Sequence, residues 1–150
     1  MQAFILCFAT NVQAQEQTNL NHQDTYLPTQ MTLYLGGFLS PSYTVELEGN
    51  SLTYRTRDWN PKTKTAEEKS KLITPSENQW RQFWKAVDTS DLWHWQKEYI
   101  DPSVLDGTQW RVSIMLAGKT THSHGSNAYP PQFNMYTHAV KDLLGGEEFR

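Results

Sequence analysis

Cysteine is almost missing from this chain. Cys7 is the only one, and it lies in a short apolar run at the N-terminus. A protein processed beyond that run has no disulfide, no thiol nucleophile and no cysteine metal site. Charge of one sign is also lacking: 13 Lys and Arg stand against 16 Asp and Glu, a net charge of -3. That balance argues against nucleic acid and against an anionic membrane surface as partners. No apolar stretch is long enough to cross a bilayer, so the chain does not read as membrane-spanning. Nucleotide and catalytic signatures are absent too. There is no phosphate loop, no dinucleotide fingerprint, no Gly-x-Ser-x-Gly elbow and no helical His-Glu-x-x-His.

What is present begins with an address. Ala3 to Ala9 is apolar, and Val12-Gln13-Ala14 has the small-x-small pattern cut by signal peptidase. We read 1–14 as a signal peptide whose basic start lies upstream, and the protein as secreted or periplasmic. The competing reading of this run is a buried terminal strand or helix. Residues 15–30, rich in Gln, Asn and Thr, read as a polar spacer ending at Pro28. A single domain follows over 31–146, a size suited to one core. Six Trp in 150 residues allow that core to be built from large rings.

Binary pattern and turn chemistry give the elements. Met31, Leu33 and Leu35 alternate with Thr32 and Tyr34, a first strand. Gly49-Asn50 predicts a two-residue type II′ turn, which sets Leu47 against Leu52, Val45 against Tyr54, Glu46 against Thr53 and Thr44 against Arg55. Apolar meets apolar and polar meets polar, so one side of this hairpin is buried and the other wet. The mixed charges of Asp58 to Lys71 predict a solvated loop. In it, Trp59 either folds back onto the core or stands exposed as a contact.

The segment Ser40-Pro41-Ser42-Tyr43 to Tyr54 resembles the opening hairpin of small exported bacterial domains of unknown function. Those often read Cys-Pro-x-Tyr, alternating apolars, a Gly/Asp turn and a closing Tyr. Ser40 stands where a cysteine is common. The resemblance covers about a tenth of the chain; it implies export and an α+β architecture, and no activity.

Thr74-Pro75-Ser76-Glu77 predicts a helix start with Thr74 as cap and Glu77 closing a capping box. Trp80, Phe83, Trp84 and Val87 then form one apolar stripe. Leu92-Trp93-His94-Trp95 predicts a short extended segment running to about Tyr99. The loop carrying Asp101 and Asp106 lacks the ligand spacing of an EF-hand, and an ordinary turn is expected. Trp110, Val112, Ile114 and Leu116 alternate as a strand, Ala117-Gly118 turns, and Lys119 to His124 returns. A last helix opens at Pro131, buries Phe133, Tyr136, Val140, Leu143 and Leu144, and stops at Gly145-Gly146. Glu147 to Arg150 reads as a polar tail. The expectation is an α+β domain. An antiparallel β-sheet of five to six strands, in the order β-β-β-α-β-β-β-α, carries two amphipathic helices packed on one face.

His122 and His124 are the one close histidine pair, on one face of a strand and on the order of 6–7 Å apart at Cβ. Such a pair can give two ligands to Zn²⁺. A two-residue loop at Ala117-Gly118 places them opposite Ser113 and Arg111 on the polar side; a three-residue loop would bury them. The first is favoured, since two imidazoles cost more to bury than Thr121 and Ser123. No third ligand is evident: His138 points to water, His94 to the far side of its segment, and His22 lies in the spacer. No cofactor is therefore expected. The favoured function is a monomeric, non-enzymatic binding module for a protein or glycan of the cell envelope. Its candidate surface is Trp59, His122, His124, Asn127 and Tyr129, where aromatics with polar tips suit recognition. The alternative is a metal-dependent hydrolase-like site centred on His122 and His124.

Overall fold

Two tight turns set the phase of the sheet. In the computed structural model, which describes residues 26–37 and 40–150, Gly49 has φ +62° and joins β2 (Ser42–Glu48) to β3 (Ser51–Asn60). The pairing across it is Leu47 with Leu52, Val45 with Tyr54 and Thr44 with Arg55, as the turn chemistry requires. Ala117 and Gly118, at φ +46° and +80°, join β6 (Thr108–Leu116) to β7 (Lys119–Ser126). Positive φ at both positions marks the type I′ geometry that matches strand twist. This two-residue loop sets His122 opposite Ser113 and His124 opposite Arg111. The N-terminal apolar run, Cys7 and most of the polar segment after it lie outside the described residues.

Strand β1 (Gln30–Gly37) joins the two hairpins, pairing with β2 on one side and β6 on the other. Leu33 thus sits between Val45 and Val112, and the buried residues of β1, β2, β3 and β6 make one continuous apolar surface. On β7 the inward positions are Thr121 and Ser123, both buried. Their hydroxyls donate to the Leu92 carbonyl at 3.4 Å and to the Gln96 carbonyl at 2.6 Å. A hydroxyl that finds a carbonyl costs little to bury, so the imidazoles take the outer face. Gly125 lies against the Trp110 indole, where a Cβ would stand 2.3 Å from Nε1. That close approach lets the indole N–H donate to the Ala128 carbonyl at 2.9 Å.

The sheet has seven strands in the order β4-β3-β2-β1-β6-β7-β5, rather than five to six. The additional long strand is β4 (Thr65–Ile73), inside the segment expected to be a loop. Asp58 to Asn60 extend β3 and pair with Glu67 to Thr65. Nearly all of β4 is exposed, so it shows no apolar alternation; backbone pairing and local polar contacts define it. Asn60 Oδ1 accepts the Lys62 N–H at 3.0 Å, and its Nδ2 donates to Glu67 at 2.7 Å. The short β5 (Glu98–Ile100) pairs parallel to β7, so the sheet is mostly and not wholly antiparallel. Leu92–His94, expected to be extended, is a 3₁₀ turn entered through Asp91 at φ +56°.

Helices α1 (Glu77–Thr89) and α2 (Phe133–Leu143) pack on the apolar face and complete an α+β domain. The capping box exists but lies two residues later than expected. Ser76 is the N-cap, its Oγ accepting the Gln79 N–H while the Gln79 side chain accepts the Ser76 N–H. Thr74 instead hydrogen-bonds Ser51 through the two hydroxyls at 2.6 Å. Trp80 is fully buried, worth on the order of 4–6 kcal/mol of transfer free energy for a ring of this area. Its Nε1 has no hydrogen-bond partner among the described residues, a cost of about 1–3 kcal/mol; the apolar gain exceeds it.

Both ends of the domain extend past the expected boundaries. Tyr26 and Leu27 pack against the core, and the Trp84 indole N–H donates to the Tyr26 carbonyl at 2.6 Å. The segment after Gly146 is not simply polar. Phe149 is 1% exposed, and the Tyr54 hydroxyl donates to the Glu148 carbonyl at 2.6 Å.

Candidate functional site

With both helices on one face, the alternate positions of every strand point to the other. Strand registers align Arg55, Thr44, Tyr34, Arg111, His124 and Glu98 in a row across six strands. A second row carries Thr53, Glu46, Thr32, Ser113 and His122. Among the described residues no helix covers this face, and its polar side chains are those expected of the solvated side of an antiparallel sheet.

The electrostatics are local. Arg55 and Glu46 form an ion pair at 2.5 Å, and the carboxylate raises the guanidinium above its ordinary value. Being exposed, this pair contributes little stability. His124 Nε2 lies 3.2 Å from Glu98 Oε1, and His122 Nδ1 lies 2.9 Å from the Ser113 hydroxyl. Neither Arg57 nor Arg111 forms an ion pair with a described residue. Arg57 borders a shallow concavity of about 370 Å³ with Tyr34, Ser42, Thr44, Arg55 and Glu68. Gly36 lets β1 and β2 approach closely beside it: a Cβ there would stand 2.3 Å from Ser42 Cβ and 2.8 Å from the Tyr34 hydroxyl.

The five candidate residues separate into three places. His122, His124 and Trp59 belong to the uncovered face. Trp59 is 40% exposed and pairs with Ala66 near the tip of the β3–β4 ribbon, so it stands exposed and does not fold back onto the core. Asn127 is part of the backbone scaffold, with φ +55° and its Oδ1 accepting the Thr108 N–H at 2.9 Å. Tyr129 lies on the helix side, its ring 4.9 Å from Phe133, and does not join the histidines. The sequence reading missed Tyr34, Arg55, Arg57, Arg111 and Glu98. Their polar alternation was visible, but the pairing of β1 with β6 that aligns them was not.

The side chains of this face offer hydrogen-bond donors and acceptors, charge and one phenol ring. Among the described residues, no three His, Cys, Asp or Glu side chains are grouped to hold a metal ion. His94 pairs with Asp91 at 2.5 Å and His138 contacts the Asn134 carbonyl at 2.7 Å, both away from the pair. The Ser113–His122 contact has the reach of a nucleophile and base. His122 is exposed, however, and contacts no carboxylate among the described residues that would orient it. Asp101 closes a turn, its carboxyl held below the usual range by the Ser103 hydroxyl and N–H. Among the described residues, no helix is long and apolar enough to cross a membrane. No protein-family model matches the chain, and comparison with curated proteins finds no match.

Proposed function

We propose that this protein is a non-enzymatic interaction module, exported from a bacterial cell, that presents its uncovered sheet face to a protein or glycan of the cell envelope. The observation that carries this reading is the row Tyr34–Arg111–His124 on a seven-stranded sheet whose other face holds both helices. The row combines a phenol, a guanidinium without an ionic partner among the described residues and an imidazole on rigid strands. Rigid presentation keeps the entropic cost of binding low. Export rests on the apolar N-terminal run and its small-x-small site.

Co-sedimentation with isolated envelope fractions tests the reading. The wild-type chain is retained, and Arg111→Glu combined with Tyr34→Ala is released while its thermal melt is unchanged. Equal retention of both forms, or of neither, overturns it. The hydrolase-like alternative rests on His122 and His124; Glu98 contacts His124, and among the described residues no three such donors are grouped to hold a metal ion. Stoichiometric zinc in the purified protein, lost in the His122→Ala/His124→Ala variant, would favour that alternative.

A further inference from the structure

A second recessed site lies on the helix side of the sheet, at the end where Ser40 and Pro41 enter β2 and Thr108 begins β6. Its volume is about 210 Å³, and it is lined by Leu35, Gly36, Ser40, Pro41, Tyr43, Thr108, Tyr129 and Arg150. Four hydroxyls border it, those of Ser40, Tyr43, Thr108 and Tyr129, and none hydrogen-bonds a described residue. Leu35, Pro41 and the two phenol rings supply apolar wall. Arg150 supplies the one positive charge and has no ionic partner among the described residues.

The wall is held from several directions. The Tyr129 ring packs tilted against Phe133, centroids 4.9 Å apart and planes at 41°, and the Tyr43 ring lies 6.2 Å from Phe149. Burial of Phe149 anchors the tail, which lays the Arg150 guanidinium over Tyr129 at 5.9 Å and over Phe133 at 6.0 Å. Asn134 Oδ1 accepts a hydrogen bond from that guanidinium. A guanidinium presents its N–H groups as a planar fork, which a carboxylate accepts two at a time.

The geometry points to a site for one acidic pyranose unit, a sugar ring bearing a carboxylate. The carboxylate meets Arg150, the C–H face of the ring lies on the tyrosines, and the ring hydroxyls meet the four free hydroxyls. The hollow is too small for a nucleotide or a folded peptide. One guanidinium without a second cation or a helix N-terminus is a poor phosphate site. This site does not depend on the uncovered face, which lies on the opposite side of the sheet.

Calorimetric titration of the full chain with glucuronate, glucose and phenylacetate tests the proposal. Glucuronate saturates one site, with a Kd on the order of a millimolar. Glucose and phenylacetate each bind at least about tenfold more weakly, since each lacks one half of the match. Arg150→Gln weakens glucuronate about tenfold or more and Arg150→Lys restores part of the loss, while Lys85→Ala, at an exposed position of α1, changes nothing. Glucose binding as tightly as glucuronate, phenylacetate binding more tightly, or no saturable glucuronate binding would each overturn the assignment. The ligand ranking on the wild-type chain decides the matter even if a variant folds poorly. Envelope retention through the uncovered face is read separately.

Discussion

Asn127 and Thr108 are joined twice. Asn127 Oδ1 accepts the Thr108 N–H at 2.9 Å, and the Asn127 N–H donates to the Thr108 carbonyl at 3.0 Å. This clasp ties the end of β7 to the start of β6, and it needs Asn at a left-handed φ of +55°. A Cβ on Gly107 would stand 1.9 Å from Asn127 Oδ1, so the neighbouring backbone has closed around the amide. Asn127→Ala removes the acceptor and puts a strained residue at positive φ. The expected loss is about 1–3 kcal/mol in urea unfolding. Asn127→Asp keeps the acceptor and should recover much of it. If alanine and aspartate are equally destabilising, the amide oxygen is not the element that matters.

The β6–β7 turn offers a change in the opposite direction. Ala117 is exposed and sits at φ +46°, a conformation that costs alanine roughly 1 kcal/mol. Its neighbour is Gly118, and Asn-Gly is the dipeptide that type I′ turns favour. Ala117→Asn is therefore expected to stabilise the protein by about 0.5–1 kcal/mol, read as a higher urea midpoint at unchanged slope. A lower midpoint would refute the turn geometry.

The end of the chain carries a larger effect. Phe149 packs in the core with 1% exposure, next to the ring of Tyr43. Removing a buried phenyl ring costs on the order of 3–5 kcal/mol, so Phe149→Ala should lower the thermal midpoint markedly. It should also expose Tyr43 and loosen Arg150 over Tyr129. A variant that melts like wild type would place the tail outside the folded unit.

These features differ in how far the sequence disclosed them. The β2–β3 register was legible because a two-residue glycine turn leaves one phase, and Leu47, Leu52, Val45 and Tyr54 all agree with it. Strand β4 was not, because hydrophobic periodicity reports burial and β4 has almost none; Asp58 to Lys71 carry the composition of a loop while their backbones pair. Thr74 and Ser76 are both acceptable caps two residues apart, and only the spatial position of Ser51 draws Thr74 away. Phe149 is one ring among three charged residues, and no pattern marks a single anchor. For the candidate site, the outward face of His122 and His124 followed from turn length. Tyr34 and Arg111 became partners only through a contact about eighty residues apart in sequence, which no local signal encodes.

The last prediction concerns alkali. Tyr54 is buried, and its hydroxyl donates to the Glu148 carbonyl at 2.6 Å. Its pKa is pushed up to about 12, first by burial and then by Tyr43, Glu147 and Glu148. Tyr43 and Tyr136 are also raised, and in both burial is the largest cause. The folded protein therefore holds these protons longer than the unfolded chain, whose phenols release them near pH 10. Below pH 10 both states are protonated and the stabilisation is fully present. From about pH 10 to 12 the unfolded state binds fewer protons, so stability must fall as pH rises. Tyr54→Phe loses a hydrogen bond and is expected to be less stable at pH 8, by about 1 kcal/mol. It also deletes one late-titrating group, so its further loss between pH 8 and 11 should be smaller than that of wild type. Urea midpoints at the two pH values measure this, and an equal or steeper loss in the variant would show that Tyr54 does not drive the alkaline limb.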